Sequence, residues 1–389
     1  MRYALEGSQA LARTVALCRP QVIAAYPITP QTHIVENLSK LVADGVLDCE
    51  LVSVESEFSA ASVVLGAVAA GARAYTASSS QGILLMNEVL YNIAGLRLPL
   101  VMTCANRAVA APLSIWNDQQ DSMSVRDAGW IQLYCTSNQD AVDTTIQAYH
   151  IAEQTELPVM VCVDGFTLTH TLEVLDIPDQ QQVDRYLPPF NFERRLDPAR
   201  PISIGTLVSP DFFSEARYDH HRALIDAQQA IVAAAAGWED MCNRRQNPLL
   251  CIHDMPEARI GIMVLGSIAG TLAAAHDHYR NLPATRLVAL RTFRPFPADA
   301  IRQACAGLTD LVVLERALSP GAGGIVGTEV RAALTEMHDA PRVHNFSLGL
   351  GGRDVPLDIY PRIHEAVRAG SGIPYDILDL VPERLPAAG

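Results

Sequence analysis

The sequence lacks the segments that mark membrane and secreted proteins. No apolar stretch approaches the roughly 18 continuous residues of a transmembrane helix; the longest, such as 60–72, are interrupted by glycine and polar residues. The first residues, 1–7, contain neither an apolar segment nor a cleavage site typical of a signal peptide. We therefore expect a cytoplasmic protein without a membrane anchor.

Basic clusters are also missing. The formal net charge is -14, from 43 acidic and 29 basic residues, and no segment is rich in lysine or arginine. Nucleic-acid binding depends on a positively charged surface that neutralises phosphates. No nucleic-acid partner is therefore expected.

Closely spaced cysteines are a third absence. The eight cysteines lie far apart, mostly in apolar runs such as 101–104 and 159–162, and no Cys-x-x-Cys occurs. Iron–sulfur clusters need several neighbouring thiolates. We therefore expect reduced, mostly buried cysteines and no ferredoxin-type cluster held by this chain alone.

What the sequence does contain is an alternation of two patterns. Apolar, β-branched runs predict strands at 22–26, 50–54, 74–77, 100–104, 131–134, 158–162, 259–265, 286–290, 310–314 and 343–346. Segments of helical period predict helices at 32–43, 57–70, 81–95, 141–154, 218–242 and 266–279. Strands that are apolar on both faces and separated by helices are typical of a parallel, doubly wound α/β sheet.

A length of 389 residues suits two such α/β domains. The segment 173–204 is polar and rich in proline, which favours a connecting arm over a core element. We therefore predict a first domain over 1–170, an arm and a long helix over 171–245, and a second α/β domain over 246–389.

Ligands of open α/β sheets bind at the carboxyl ends of the strands, so polar residues that follow strands are candidates for a site. Thr29 follows the first predicted strand between Pro27 and Pro30, which restrict the backbone around it. Its hydroxyl could contact a ligand or could cap the next helix. The residues leave both interpretations open.

Two carboxylates, Glu55 and Glu57, lie between the second predicted strand and the apolar helix 60–70. A carboxylate at a helix start is favourable electrostatically without any further role. The alternative is a buried carboxylate that hydrogen-bonds a protonated ring nitrogen of a cofactor. The local sequence pattern does not decide between a helix-start role and a cofactor contact.

Arg107 is a single cation in an apolar, small-residue loop, 106–112. A buried guanidinium needs an anionic partner, since leaving it unpaired costs several kcal/mol. That partner could be a protein carboxylate or the carboxylate of a substrate. In the following loop, Asp118 and Asp121 are expected to form turns, and we predict no bound metal.

Several of these segments, taken in order, resemble the alpha subunit of 2-oxoacid:ferredoxin oxidoreductases, most closely the pyruvate:ferredoxin type. The matching segments in the first half are 26–32, 55–57, 78–82, 106–108 and 115–118. Those in the second half are 291–296, 315–316, 321–324 and 349–353. The resemblance extends over nearly the whole chain.

The resemblance implies a thiamine-diphosphate pyrimidine-binding domain followed by a transketolase C-terminal-like domain. It implies that Glu57 bonds the aminopyrimidine ring nitrogen and thereby promotes loss of the thiazolium C2 proton. It further implies that Arg107 holds the substrate carboxylate, with Thr29 hydrogen-bonding nearby. Pro27 and Ile28 would contact the cofactor.

The loop residues Asn117 and Asp118 match a possible active-site loop of the family. The activity implied is coenzyme A-dependent oxidative decarboxylation of pyruvate to acetyl-CoA and CO2, with electrons passed to ferredoxin, or the reverse synthesis.

The chain contains neither the Gly-Asp-Gly and Asn-Asn pattern that holds the diphosphate through Mg2+ nor a cluster motif. The resemblance therefore implies thiamine diphosphate shared with a beta subunit. Mg2+ and 4Fe-4S clusters would belong to the partner subunits beta, gamma and delta.

Three alternatives remain. The first is another 2-oxoacid: oxalate, 2-oxobutyrate, a branched-chain acid or 2-oxoglutarate. The absence of a second cation among the small residues beside Arg107 disfavours 2-oxoglutarate. The second is a transketolase or lipoyl-linked 2-oxoacid dehydrogenase component, and the third is a non-catalytic scaffold.

Overall fold

The computed structural model describes residues 2–245, 247–253, 255, 257–369 and 372–385. The strands are β1 (Arg2–Glu6), β2 (Val22–Ala25), β3 (Glu50–Ser53), β4 (Ala74–Ser78), β5 (Val101–Asn106), β6 (Ile131–Tyr134), β7 (Val159–Asp164), β8 (Leu172–Asp176), β9 (Leu250–His253), β10 (Ile260–Val264), β11 (Thr285–Leu290), β12 (Thr292–Arg294), β13 (Asp310–Glu315), β14 (Arg342–Ser347) and β15 (Asp376–Ile377).

The α-helices are α1 (Gly7–Leu17), α2 (Thr32–Ala43), α3 (Glu57–Ala69), α4 (Ser80–Leu85), α5 (Asn87–Gly95), α6 (Gln120–Ser124), α7 (Asn138–Thr155), α8 (Gln180–Tyr186), α9 (Pro210–Cys242), α10 (Ile268–His278), α11 (Ala298–Cys305), α12 (Ile325–Leu334) and α13 (Ile359–Arg368). Short 3-10 helices lie at Leu350–Gly352 and Pro382–Arg384. None of the helices in the described residues is long and apolar enough to cross a membrane.

The first sheet has seven strands in the order β12-β6-β7-β5-β4-β2-β3. All neighbours are parallel except β12, which is antiparallel to β6. Successive side chains point to opposite faces, so Ile23 packs in one core and Ala24 in the other. Helices α1, α2, α7 and α9 cover the first face, and α3 and α5 cover the second. The predicted doubly wound sheet is confirmed.

The second sheet has six strands in the order β15-β14-β13-β10-β11-β9, and only β9 is antiparallel to its neighbour. Helices α10 and α13 pack on one face. The other face, with α11 and α12, shares a single apolar core with the first sheet, in which Met102 and Met160 lie with Met263 and Val313.

A buried carboxylate also connects the two sheets. Asp164, at the end of β7, accepts hydrogen bonds from the Ser267 backbone N–H at 2.8 Å and from Gln119 Nε2 at 3.2 Å. Arg316 Nη1 of the second unit lies 3.2 Å from the same carboxylate. The second unit is therefore fixed at the carboxyl edge of the first sheet, where a site is expected.

Several boundaries differ from the sequence expectation. The long helix begins at Pro210, not at residue 218, because Pro210 occupies its first turn, where no backbone donor is required. The predicted helix 81–95 is divided into α4 and α5 at Met86. The predicted arm contains β8 and α8, and β8 pairs with β1 in a separate two-stranded sheet.

The strand β12 is a further difference, since it lies in the second predicted domain but joins the first sheet through Thr292 and Leu133. The cysteines are free, as expected: Cys18, Cys104, Cys135, Cys162 and Cys305 are buried, and only Cys251 is exposed.

Candidate active site

The strand order places a crevice beside β2. From β2 the chain passes to β3 on one side, and it then returns to β4 on the other side. Such a reversal separates the loops at the carboxyl ends of the two strands and creates the usual ligand crevice of an open α/β sheet. The segment after β2 therefore forms one wall of the crevice, and the segment after β4 forms the other.

Thr29 lies exposed in the segment after β2. It does not cap α2, because the N-cap residue of α2 is Gln31. The buried Gln31 side chain fixes this segment: its Nε2 donates to the Ala77 carbonyl in β4 at 2.8 Å, and its Oε1 accepts from the Ile28 backbone N–H at 3.3 Å. Helix capping is therefore excluded as the role of the Thr29 hydroxyl.

Glu57 is the first residue of α3. The capping role belongs to Ser56, whose hydroxyl accepts from the Ser59 N–H at 3.2 Å. The Glu57 side chain is buried, with 7% of its surface exposed. Within the described part of the chain, no protein group hydrogen-bonds its carboxylate. Burying an unpartnered carboxylate is costly, so an external donor is the natural partner.

The neighbouring Glu55 differs from Glu57 in its exposure and in its hydrogen bonding. Its side chain is exposed and accepts a hydrogen bond from the Ser59 hydroxyl, which lowers the pKa of Glu55 below its usual value. Of the two carboxylates that precede α3, Glu57 is the one turned into the protein.

The other wall of the crevice, after β4, lies against Glu57. A Cβ atom at Gly82 would be 2.6 Å from Glu57 Oε1 and 2.3 Å from Ser78 Oγ. The Ser78 hydroxyl is buried and has no hydrogen-bond partner among the described residues. Glycine at position 82 therefore allows the backbone of α4 to approach the Glu57 carboxylate and the Ser78 hydroxyl closely.

Arg107 follows β5 and reaches the segment after β2. Its Nη1 donates to the Thr29 carbonyl and its Nε to the Ser114 carbonyl, both at 2.9 Å. Burial lowers the pKa of the guanidinium, and the charge of Asp121 opposes this effect. No carboxylate of the described residues forms an ion pair with it. A structural salt bridge therefore does not account for Arg107.

Asp121 organises the base of the Arg107 loop. Its carboxylate is fully buried and accepts hydrogen bonds from the backbone N–H groups of Ser80 and Arg107, both at 2.9 Å, and from Asn106 Nδ2 at 2.8 Å. Burial raises the pKa of Asp121, whereas these donors oppose the rise. The sequence did not indicate this role, because it depends on contacts between separate loops.

The loop with Asn117 and Asp118 lies between Arg107 and the second unit. Asp118 accepts from the Gly351 N–H at 3.2 Å, and its burial raises its pKa to about 6. The Asn117 side chain is buried, and neither of its polar atoms has a partner among the described residues.

Several apolar side chains are exposed in the segments that carry or follow the candidate residues: Tyr26, Phe58, Leu84, Leu85, Leu113, Ile115 and Trp116. Such a cluster is typical of a surface that another chain or ligand covers.

The comparisons with known proteins decide the family. A domain family described as pyruvate flavodoxin/ferredoxin oxidoreductase, thiamine-diphosphate-binding, matches residues 13–235, and core domain II of pyruvate:ferredoxin oxidoreductase matches residues 258–359. The chain belongs to the pyruvate:ferredoxin oxidoreductase family.

Relatives within this family are similar over their full length. Pyruvate synthase subunit PorA of Methanosarcina barkeri is 44% identical over 98% of this chain and 97% of its own. PorA of Pyrococcus furiosus is 42% identical over 92% of this chain and 91% of its own. Ketoisovalerate oxidoreductase subunit VorA of Pyrococcus furiosus is 38% identical over 92% of this chain and 91% of its own.

Solved structures support the fold of the family. The 2-oxoglutarate:ferredoxin oxidoreductase of Magnetococcus marinus matches with a TM-score of 0.72 at 19% identity, over 94% of this chain and 65% of that one. A split-gene transketolase matches with a TM-score of 0.54 at 12% identity, over 92% of this chain and 94% of that one. The fold expected from the resemblance is therefore confirmed.

The structure thus brings Thr29 and Arg107 into direct contact and places Glu57 against the opposite wall. It places Asn117 and Asp118 toward the second unit, with Pro27 and Ile28 in the segment that leads to Thr29. The roles of these residues remain predictions.

Proposed function

We propose that this chain is the alpha subunit of a pyruvate:ferredoxin oxidoreductase, which converts pyruvate and coenzyme A to acetyl-CoA and CO2 and passes electrons to ferredoxin. The reverse reaction is pyruvate synthesis. The observation that supports this most directly is that, among the described residues, the buried Glu57 carboxylate has no hydrogen-bond donor and the Arg107 guanidinium has no carboxylate partner. Both lie at the carboxyl edge of one sheet.

The residues around Glu57 fit the aminopyrimidine of thiamine diphosphate. Glu57 would accept a hydrogen bond from a ring nitrogen, and the close approach of the Gly82 backbone would help to fix the position of its carboxylate. Pro27 and Ile28 would contact the cofactor from the segment after β2. The chemistry that bound thiamine diphosphate supplies is a nucleophilic carbon and an electron sink for decarboxylation.

Arg107 and Thr29 would bind the substrate. The guanidinium still has donors to offer after its contacts with the Thr29 and Ser114 carbonyls, since it carries five N–H groups. A carboxylate held by these donors is oriented before it leaves as CO2, which lowers the entropic cost of reaction. The Thr29 hydroxyl is exposed to the same crevice, and Asn117 and Asp118 would border it.

The remaining functions would belong to other subunits. The exposed apolar side chains near the candidate residues, such as Phe58, Leu85 and Trp116, support an active site that a beta subunit completes. That subunit would hold the diphosphate through Mg2+. The 4Fe-4S clusters would lie in beta and delta subunits, with a gamma subunit completing a cytoplasmic complex. We place the division of this chain at 1–170, 171–245 and 246–389, with β12 extending the first sheet.

A branched-chain 2-oxoacid is the second candidate substrate, because VorA relatives are 38% and 37% identical to the chain. PorA relatives are more similar, at 41% to 44% identity, and they favour pyruvate.

The replacement Glu57→Gln tests the proposed role. In the purified complex, we expect pyruvate-dependent viologen reduction to fall by at least about 100-fold, the range of general acid–base effects. Exchange of the thiamine C2 proton with deuterium, followed by NMR, should slow in parallel. The amide retains the shape of the side chain, so the complex should still assemble and bind thiamine diphosphate.

The matched control is Glu55→Gln, which alters an exposed carboxylate two residues away and should leave both rates near those of the wild type. Wild-type C2 exchange in the Glu57→Gln complex would contradict the proposed role.

A further inference from the structure

A cluster of two histidines and one glutamate lies outside the crevice. Glu6 ends β1, His33 lies in the first turn of α2, and His170 follows β7. One potential ligand atom from each side chain lies within 4.8 Å of the other two. We infer that Glu6, His33 and His170 form a binding site for a divalent transition-metal ion such as Zn2+.

The distances within the cluster suit such an ion. His33 Nδ1 lies 2.9 Å from Glu6 Oε1, and the rings of His33 and His170 are 4.5 Å apart between centroids. Zinc bonds of about 2.0–2.2 Å place neighbouring ligand atoms roughly 3 Å apart. The three ligand atoms lie within 4.8 Å of one another and would move closer together around a shared ion, and the side chains of His33 and Glu6 are partly exposed.

The neighbouring residues orient one of the ligands. The buried Thr169 hydroxyl lies 2.7 Å from His170 Nδ1 and accepts a hydrogen bond from the Phe166 N–H at 2.8 Å. Metal-binding histidines usually have a second polar group that fixes the orientation of the ring. Thr169 supplies that group here.

The chemistry of the ligands favours an ion of the zinc type. Two imidazoles and one carboxylate select Zn2+ or a neighbouring transition metal over Mg2+ or Ca2+, which prefer oxygen ligands. The side chains of His33 and Glu6 are 45% and 26% exposed, so an ion can enter and waters can complete its coordination.

A simple ion pair does not account for all three residues. The contact of Glu6 with His33 involves one histidine, whereas a second, His170, lies beside it with its ring 4.5 Å from the His33 ring between centroids.

The site adjoins the segments that line the crevice. His33 lies four residues after Thr29 in the chain. The His170 ring contacts Phe166 at 4.7 Å between centroids, and Phe166 contacts Trp116 at 4.6 Å. A bound ion would therefore tie β1, α2 and the loop after β7 together next to the Trp116 loop.

The test is a titration of the full chain, produced without a histidine tag, with Zn2+ at pH 7.5 by calorimetry. We expect His33→Gln, His170→Gln and Glu6→Gln each to weaken one Zn2+ site per chain by at least about tenfold. Circular dichroism and thermal unfolding without metal should match the wild type.

Two control variants separate this site from other zinc ligands. His338→Gln alters a 98% exposed histidine that lies beside Asp339 without a third ligand, and Cys251→Ser removes the exposed thiol. Both should leave the site unchanged. NMR of the wild-type imidazole nitrogens gives a readout that needs no variant: Zn2+ should shift His33 and His170 and leave His338 in place.

Either of two results would overturn the inference. One is a wild-type chain whose His33 and His170 resonances do not respond to Zn2+. The other is Zn2+ binding that persists unchanged in the His33→Gln and His170→Gln variants, which would place the ion elsewhere.

Discussion

At the scale of single residues, two charged side chains lack a partner of opposite charge in the described part of the chain. There, the buried Glu57 carboxylate has no donor, and the Arg107 guanidinium hydrogen-bonds carbonyl oxygens alone. Native proteins rarely leave such groups unpaired when they are buried. Unpaired charges in a crevice are typical of sites that bind charged ligands.

The variant Arg107→Ala should raise the KM for pyruvate by about 10- to 100-fold, because a hydrogen bond to a charged group contributes about 1.5–3 kcal/mol. Binding of thiamine diphosphate should change little, since the proposed cofactor contacts lie with Glu57. Steady-state kinetics of the purified complex, together with a cofactor titration, measure both effects.

The control for Arg107→Ala is Arg200→Ala, which removes an arginine of the arm whose side chain is 73% exposed and pairs with Asp197. It should leave KM unchanged. An unchanged KM in Arg107→Ala itself would mean that the guanidinium serves only to join the Thr29 and Ser114 segments.

The sequence could predict these candidates but could not decide their roles. Whether Arg107 forms a salt bridge depends on which carboxylates the fold brings within reach, and Asp121 instead accepts from the Arg107 backbone. The grouping of Glu6, His33 and His170 could not be predicted for the same reason, since these residues are far apart in the chain. The expectation of no bound metal stays a prediction.

At the scale of elements, strong periodic segments were predicted well. The predicted helix 32–43 and strand 131–134 agree with α2 and β6. Short edge strands were missed, since β1 and β8 pair across about 170 residues and each has an exposed face. Such strands owe their structure to their partners, and no local pattern indicates them.

The close approach of α4 to Glu57 leads to an element-scale prediction. Gly82→Ala should displace the Glu57 carboxylate and lower pyruvate-dependent viologen reduction by at least about tenfold, since its Cβ would meet Glu57 Oε1 at 2.6 Å. Overpacking should also reduce the free energy of unfolding by about 1–3 kcal/mol. Chemical denaturation and the activity of the complex measure these effects.

The control for Gly82→Ala is Gly66→Ala, in the exposed face of α3, where a Cβ meets no atom within 4 Å. Alanine there should stabilise the chain by about 0.5–1 kcal/mol and leave activity unchanged. If Gly82→Ala behaves like Gly66→Ala, then Gly82 does not shape the Glu57 pocket.

At the scale of the whole molecule, the two α/β units act as one body. They share an apolar core, β12 extends the first sheet, and Asp164 connects to Ser267 and Arg316. The division into domains at 1–170, 171–245 and 246–389 stays a prediction. The position of β12 in the first sheet could not be predicted, because an antiparallel edge strand of three residues has no distinct sequence pattern.

At the same scale, we propose that this chain carries only part of a site. The exposed apolar residues around the crevice and the missing diphosphate motif support a chain that supplies one wall, with the rest provided by partner subunits. Family membership and the PorA relatives support pyruvate as the substrate of that assembled site.

The most direct measurement is the reduction of viologen or ferredoxin by the co-purified complex with a panel of 2-oxoacids and coenzyme A. We expect kcat/KM for pyruvate to exceed that for 3-methyl-2-oxobutanoate and for 2-oxoglutarate by at least about tenfold, the discrimination that pocket shape gives for added methyl groups. Activity should require coenzyme A. A complex that prefers either of the other acids, or that reduces neither acceptor with pyruvate, would contradict the account.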